Sequence, residues 1–159
     1  MTSVADLLRW QLQLGNELLD AAIAQLPGMG RPASKRAARA AACYAEALLS
    51  EDVSVNGVLA EGRPLALSTW AGRTGASELP PLGGPVDWPG WARHVELDLA
   101  GLRAYGAAVH AATDAYLAAL PDDPLEPVSE CLLTALLLTS AARRGEIECV
   151  LGGGAYPSL

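Results

Sequence analysis

The residues of this chain best suited to chemistry are few. Histidine is the commonest proton shuttle and metal ligand, and the sequence has two, His94 and His110. On one helix, residues at that separation lie about 160 degrees apart around the axis, so they cannot serve one site. His110 borders an apolar seam and reads as a partly exposed polar neighbour, a candidate for a supporting role. His94 with Asp98, at i and i+4, reads as a surface pair near a helix start. Cys43, Cys131 and Cys149 are odd in number and lack CxxC spacing, which signals neither a disulfide framework nor a zinc knuckle; they read as small core residues. There is no GxSxG, no HExxH and no phosphate-cradling glycine loop, and "GGGAYPSL" follows a helix instead of opening one. What remains is charge set in apolar surroundings. In "LLLTSAARRGEIECVLGGG", Leu136 to Gly154, hydrocarbon runs directly into Arg143, Arg144 and Glu146. In "YAEALLSEDVSVNG", Glu46 is the charged intruder on a stripe of Ala42, Leu49, Val53 and Asn56.

Four helical segments must position these groups. The first covers about residues 4–25, opened by Ser3 with Asp6 in a capping-box arrangement, and Leu7, Trp10, Leu14, Leu18 and Ala21 form its expected buried stripe. "PGMGRPAS" turns the chain and caps the second segment, about 34–60. The basic residues of "SKRAARAAA" read as a solvated first turn and outer face. The Gly- and Pro-rich stretch 61–90 is a long crossover loop, with Trp70 and Trp88 available to pin it to the helices; loops of that length are usually functional or packed over a site. The third segment, about 91–120, has the cleanest seam: Val95, Leu99, Leu102, Gly106, Val109, Thr113, Tyr116 and Leu120. "PDDPLEP" closes it. The fourth, about 128–151, is apolar nearly all round and is expected to be the helix most buried by its neighbours. The expected fold is all-α, a four-helix bundle with one long connection, in a single domain spanning 1–159.

Composition narrows the function. The chain is 51% hydrophobic with no Phe, so its core is built mostly of Ala, Leu and Val, which suits closely packed helices better than sheets. A net charge of -7 argues against nucleic acid, whose phosphates require clustered Lys and Arg, and against anionic membrane surfaces. Apolar runs fall short of the roughly 18 residues a membrane span needs. "MTSVADLLRW" lacks the basic region and cleavage site of a signal peptide. The expected location is the cytoplasm.

"RRGEIECVLG" resembles the closing helix of the DinB/YfiT-like superfamily, in which H-x-x-x-H is followed by R-G-E-I. "EALLSEDVSVNGVLAEGRPL" is similar to that family's second helix, where a histidine stands five residues before an acidic "ED", and "PGWARHVELDLAGLRAYGAAV" is similar to its third. The resemblance implies a four-helix bundle, a homodimer, and a divalent metal held by three histidines, in a family that includes bacillithiol- and mycothiol-dependent transferases, isomerases and hydrolases. Carried onto this chain, the three ligand positions fall on Glu46, Thr139 and Arg143, and none is histidine. Threonine binds metals poorly and arginine offers no lone pair. Thr139 and Arg143 share a helix face with Glu146 one turn on, and in the family geometry Glu46 projects toward them. An ion pair between Glu46 and Arg143 is therefore expected where the family holds its metal, with no metal and no other cofactor; the alternative is that Arg143 pairs with Glu146 or points to solvent.

Three readings follow from the residues together with what the resemblance implies. The first is a metal-free homodimeric bundle whose pocket takes a small molecule or only contributes to structure. The second is a thiol S-transferase or hydrolase with altered ligands, in which Glu46 works with His110 or a thiol. The third is a protein-interaction module built on the 61–90 loop and its tryptophans.

Overall fold

Alanine leaves little side chain between two backbones, and an alanine-rich segment of the chain becomes the helix at the centre of the fold. The computed structural model describes residues 4–26, 30–121 and 126–152. In it α2 (Lys35–Asp52) packs against α1 (Val4–Ile23), α4 (Leu99–Ala118) and α5 (Pro127–Leu151), and touches the short α3 (Trp88–Ala92). Ala40, Ala41, Ala45 and Leu48 of α2 are fully buried. Ser34 starts the helix: its hydroxyl accepts from the Ala37 amide at 3.1 Å, satisfying a donor that the first turn leaves unpaired. The architecture is all-α. Among the described residues the one extended pairing is an isolated bridge between Ala76 and Leu97, and no helix is long and apolar enough to cross a membrane.

The second segment does run on to about residue 60, but with a wider turn. Val53–Leu59 is π-helical, and the Ala60 amide donates to the Val55 carbonyl five residues back at 2.8 Å. Asp52 stands at the junction, fully buried. Its carboxylate accepts from Asn56 Nδ2 (2.8 Å), the amides of Leu65 and Ala66 (both 2.9 Å) and the Tyr105 hydroxyl (2.7 Å). A carboxylate buried without such donors would be very costly; with them it ties the end of α2, the start of the 61–90 segment and α4 into one unit.

That segment is anchored to the helices at several points. A 3-10 turn at Leu65–Leu67 leads to Trp70, whose ring centroid lies 6.0 Å from that of Tyr105. The Arg73 guanidinium sits over the Trp70 ring at 5.3 Å. Gly75 then crosses the first turn of α4 with φ of +86°, where a Cβ would fall 2.3 Å from the Leu102 nitrogen. Only glycine fits that crossing. Trp70 therefore does pin the segment to a helix, through α4.

Five sequence-level expectations are corrected. The third segment is two helices, because the Asp98 carboxylate caps a new one: it accepts from the Gly101 amide at 2.7 Å while the Asp98 amide donates to Gly75 O at 2.7 Å. Val95 lies in the break, and His94 bonds through Nδ1 to the Gly90 carbonyl at 2.7 Å instead of pairing with Asp98. From Leu99 to Thr113 the seam points inward as expected.

In α1 the stripe Leu7, Trp10, Leu14, Leu18 and Ala21 faces outward, and Leu8, Leu12, Leu19 and Ile23 are buried instead. Both rows obey helical spacing, and they are offset by one residue, about 100 degrees. Periodicity alone cannot say which row meets a neighbour.

The helix most buried by its neighbours is α2, not α5. Of the α5 side chains described, only Leu133, Leu136 and Ile147 are buried, and Leu138 is 69% exposed. An apolar circumference reports composition, whereas burial requires neighbours on every side. For the same reason Cys131 and Cys149 on α5 are exposed, and only Cys43 is a core residue. Ser3 and most of "PDDPLEP" and "GGGAYPSL" lie outside the described residues.

Candidate functional site

Three of the four charges noticed in the sequence, Glu46, Arg143 and Glu146, converge at the base of an open cleft of about 780 Å³ between α2, α3 and α5, while Arg144 pairs with Glu148 elsewhere on α5. Glu46 comes from the second half of α2, and Arg143 and Glu146 come from one face of α5. Arg143 Nη1 donates to Glu146 Oε2 at 2.9 Å, and Arg143 Nε stands 3.5 Å from Glu46 Oε1. The pairing with Glu46 is a charge contact without a hydrogen bond: Arg143 Nε is enclosed and has no hydrogen-bond partner. The guanidinium thus lies between two carboxylates, with Glu46 the more buried of them, its side chain 14% exposed against 41% for Glu146. Burial raises the Glu46 carboxyl above its ordinary value, Arg143 opposes that, and Glu146 adds to it.

Cys43, one turn before Glu46, completes the floor. Its thiol donates to Glu146 Oε2 at 3.2 Å. Burial, then the hydrogen bond and the charge of Glu146, push it up to about 12. Such a thiol is protonated at neutral pH, and the thiolate is the nucleophile.

Of the sequence-derived positions, Glu46, Arg143 and Glu146 come together. Thr139 is half-buried on α5 and does not line this cleft. His110 belongs to a different place. It lies deeper than its sequence position suggested, with its side chain 14% exposed, its Nδ1 3.3 Å from Glu51 Oε1 and its Nε2 3.6 Å from Asp20 Oδ1. Tyr44 OH donates to the same Asp20 oxygen at 2.6 Å, and Asn16 Nδ2 donates to Glu51 Oε1 at 3.2 Å. Burial would lower the imidazole pKa; the two carboxylates outweigh it and raise it to about 9. The result is an imidazolium clamped between α1 and α2, a polar knot inside the helices.

Sequence reasoning missed the rest of the cleft. Its indole wall is Trp88 and Trp91, arranged edge to face at 5.7 Å, and its rim carries Lys35, Arg39 and Arg93. The rim lysine and arginine of α2 are solvated, as expected of "SKRAARAAA", but they also line the cleft. Their i, i+4 spacing was the available signal that they share a face.

A divalent metal, which the family resemblance implies, does not fit these residues. The position between the carboxylates is taken by a guanidinium, and among the described residues no group of three or more His, Cys, Asp or Glu is arranged to hold an ion. Comparison of the chain with protein-family models, with curated proteins and with solved structures finds no match in any of the three.

Proposed function

We propose that this chain is a DinB-like four-helix bundle in which an ion-paired cluster replaces a metal centre, and that the cleft above the cluster binds a small organic molecule. One observation carries the reading. Arg143 lies between Glu46 and Glu146 at the base of a cleft of about 780 Å³, on the two helices where the resembled family has its ligands. A guanidinium there supplies the positive charge that a cation supplies elsewhere, without needing lone-pair donors. The protein works in the cytoplasm without a metal or other cofactor.

Catalysis by a thiol or an imidazole has less support. Cys43 is held as a thiol, and both nitrogens of His110 face carboxylates away from the cleft.

The partner in this reading is a second copy of the chain. Leu7, Trp10, Leu14 and Leu18 of α1 and Leu138 of α5 are all at least 40% exposed, beside an apolar groove of about 470 Å³ between the two helices. A contiguous apolar face on a soluble chain marks an interaction surface. On a chain of net charge -7 it is a surface where a second copy meets little like-charge repulsion. An isologous contact covers the same stripe on both copies.

Elemental analysis of protein purified without chelator tests the central reading. Transition metal well below one equivalent per chain is expected, and a stoichiometric divalent metal overturns it.

A further inference from the structure

Most basic side chains of this acidic protein are already engaged. Arg9 pairs with Asp114, Arg31 with Glu96, Arg143 with Glu46 and Glu146, and Arg144 with Glu148. Arg36 and Arg103 donate to the carbonyls of Val150 and Ile23, and Arg73 to that of Thr69. Among the described residues this leaves Lys35, Arg39, Arg63 and Arg93 without a hydrogen-bonding or ion-pair partner. Three of those four, all but Arg63, line the same cleft.

Resting on the reading of this cleft as a ligand site, we propose that its ligand is a flat apolar molecule carrying one anionic group, its body against Trp88 and Trp91 and its carboxylate or phosphate at Lys35, Arg39 and Arg93. Two features of the cleft argue for this class. The floor cannot serve the anion, because Arg143 is already held by two carboxylates and a second anion there would meet Glu46 and Glu146. The charge of the ligand is therefore directed to the rim, where unpaired cations stand and where arginine can engage an anion through two parallel N–H bonds. The body is directed to the indoles. Trp91 is nearly buried and anchored by its Nε1 donating to the Glu78 carbonyl at 3.1 Å, and Trp88 meets it edge to face. A wall fixed before binding presents an apolar surface at little ordering cost.

Isothermal titration calorimetry of the full chain with 2-naphthoate, 2-naphthyl phosphate and neutral 2-naphthamide tests the proposal. At least one of the two anions is expected to bind at one site per chain, at least about ten-fold more tightly than the amide, a difference of one or two charge-assisted hydrogen bonds. Arg39→Gln with Arg93→Gln, both exposed positions, should remove that advantage, whereas Arg63→Gln should leave it intact. If anions and amide bind alike and all are weakened by Trp88→Ala, the anion assignment falls and the cleft remains a ligand site. If no probe binds, or binding ignores both the Trp88 and the rim substitutions, the proposal and the cleft reading fall together.

Discussion

Arg143 touches Glu46 by charge but bonds to Glu146: its Nε is 3.5 Å from Glu46 Oε1, while its Nη1 donates to Glu146 Oε2 at 2.9 Å. The contact between helices and the contact within α5 share one guanidinium, so the two carboxylates are not equivalent partners. Losing Arg143 leaves Glu46 in a half-buried site with no cation, whereas losing Glu46 leaves Arg143 its hydrogen bond. Arg143→Ala should therefore cost about 2 kcal/mol and Glu46→Ala less than about 1 kcal/mol, since these groups are only partly desolvated. In a urea-unfolding cycle the double variant should show a coupling of about 1 kcal/mol. Strictly additive losses would show that the two residues do not interact.

His110 sets a pH limit on stability. Its folded pKa is raised to about 9 from an ordinary 6.5. A raised value in a basic group means that the folded state holds its proton more tightly than the unfolded chain. The stabilisation is fully present below about pH 6.5 and is lost as pH rises through about 9, where neutral imidazole no longer offsets Asp20 and Glu51. The shift corresponds to a loss on the order of 2 to 3 kcal/mol between pH 6.5 and pH 10. Denaturant titrations across that range should show the fall, and His110→Gln should flatten it. An unchanged slope in that variant would remove His110 from the explanation.

Asp52 should be intolerant of its own amide. Asn56 Nδ2 and the Leu65 amide share Oδ1, and the Ala66 amide and Tyr105 OH share Oδ2. Whichever way the amide of Asp52→Asn turns, one backbone N–H, of Leu65 or Ala66, faces another donor. A cost of roughly 2 to 4 kcal/mol follows, from the orphaned donor and the lost charged acceptor. Hydrogen exchange should quicken first at Leu65 and Ala66, and unchanged protection there would contradict the hub role.

The outward row of α1 makes a prediction about mass. If a second copy covers it, light scattering of the native chain gives a dimer. Leu14→Asp with Leu138→Asp gives a monomer of unchanged helicity, because both side chains are already in solvent, 40% and 69% exposed. A native chain that stays monomeric at every concentration rules the dimer out.

The sequence by itself determined the class of structure. Alanine-rich segments, helical spacing and the cap at Ser34 are local properties, and they suffice for an all-α fold with helical segments near 4–25, 34–60 and 128–151, which the structure gives as Val4–Ile23, Lys35–Asp52 with a π-helical extension, and Pro127–Leu151. It also singled out Glu46, Arg143 and Glu146, because charge in an apolar helix is visible without coordinates. Only the tertiary structure decided which way each face turned. The two rows of α1 are equally periodic, and what separates them is the position of α4 and α5 around that helix. The capping role of Asp98 is a local feature that the continuing four-three seam concealed. The hub at Asp52 is different: its donors at Leu65, Ala66 and Tyr105 lie 13, 14 and 53 residues away. The same holds for the clamp on His110 and for a rim that gathers Lys35 and Arg39 from α2 and Arg93 from the end of α3. A hydrogen bond or a cleft between distant segments has no period for a sequence to carry; it exists only once packing has brought the segments together.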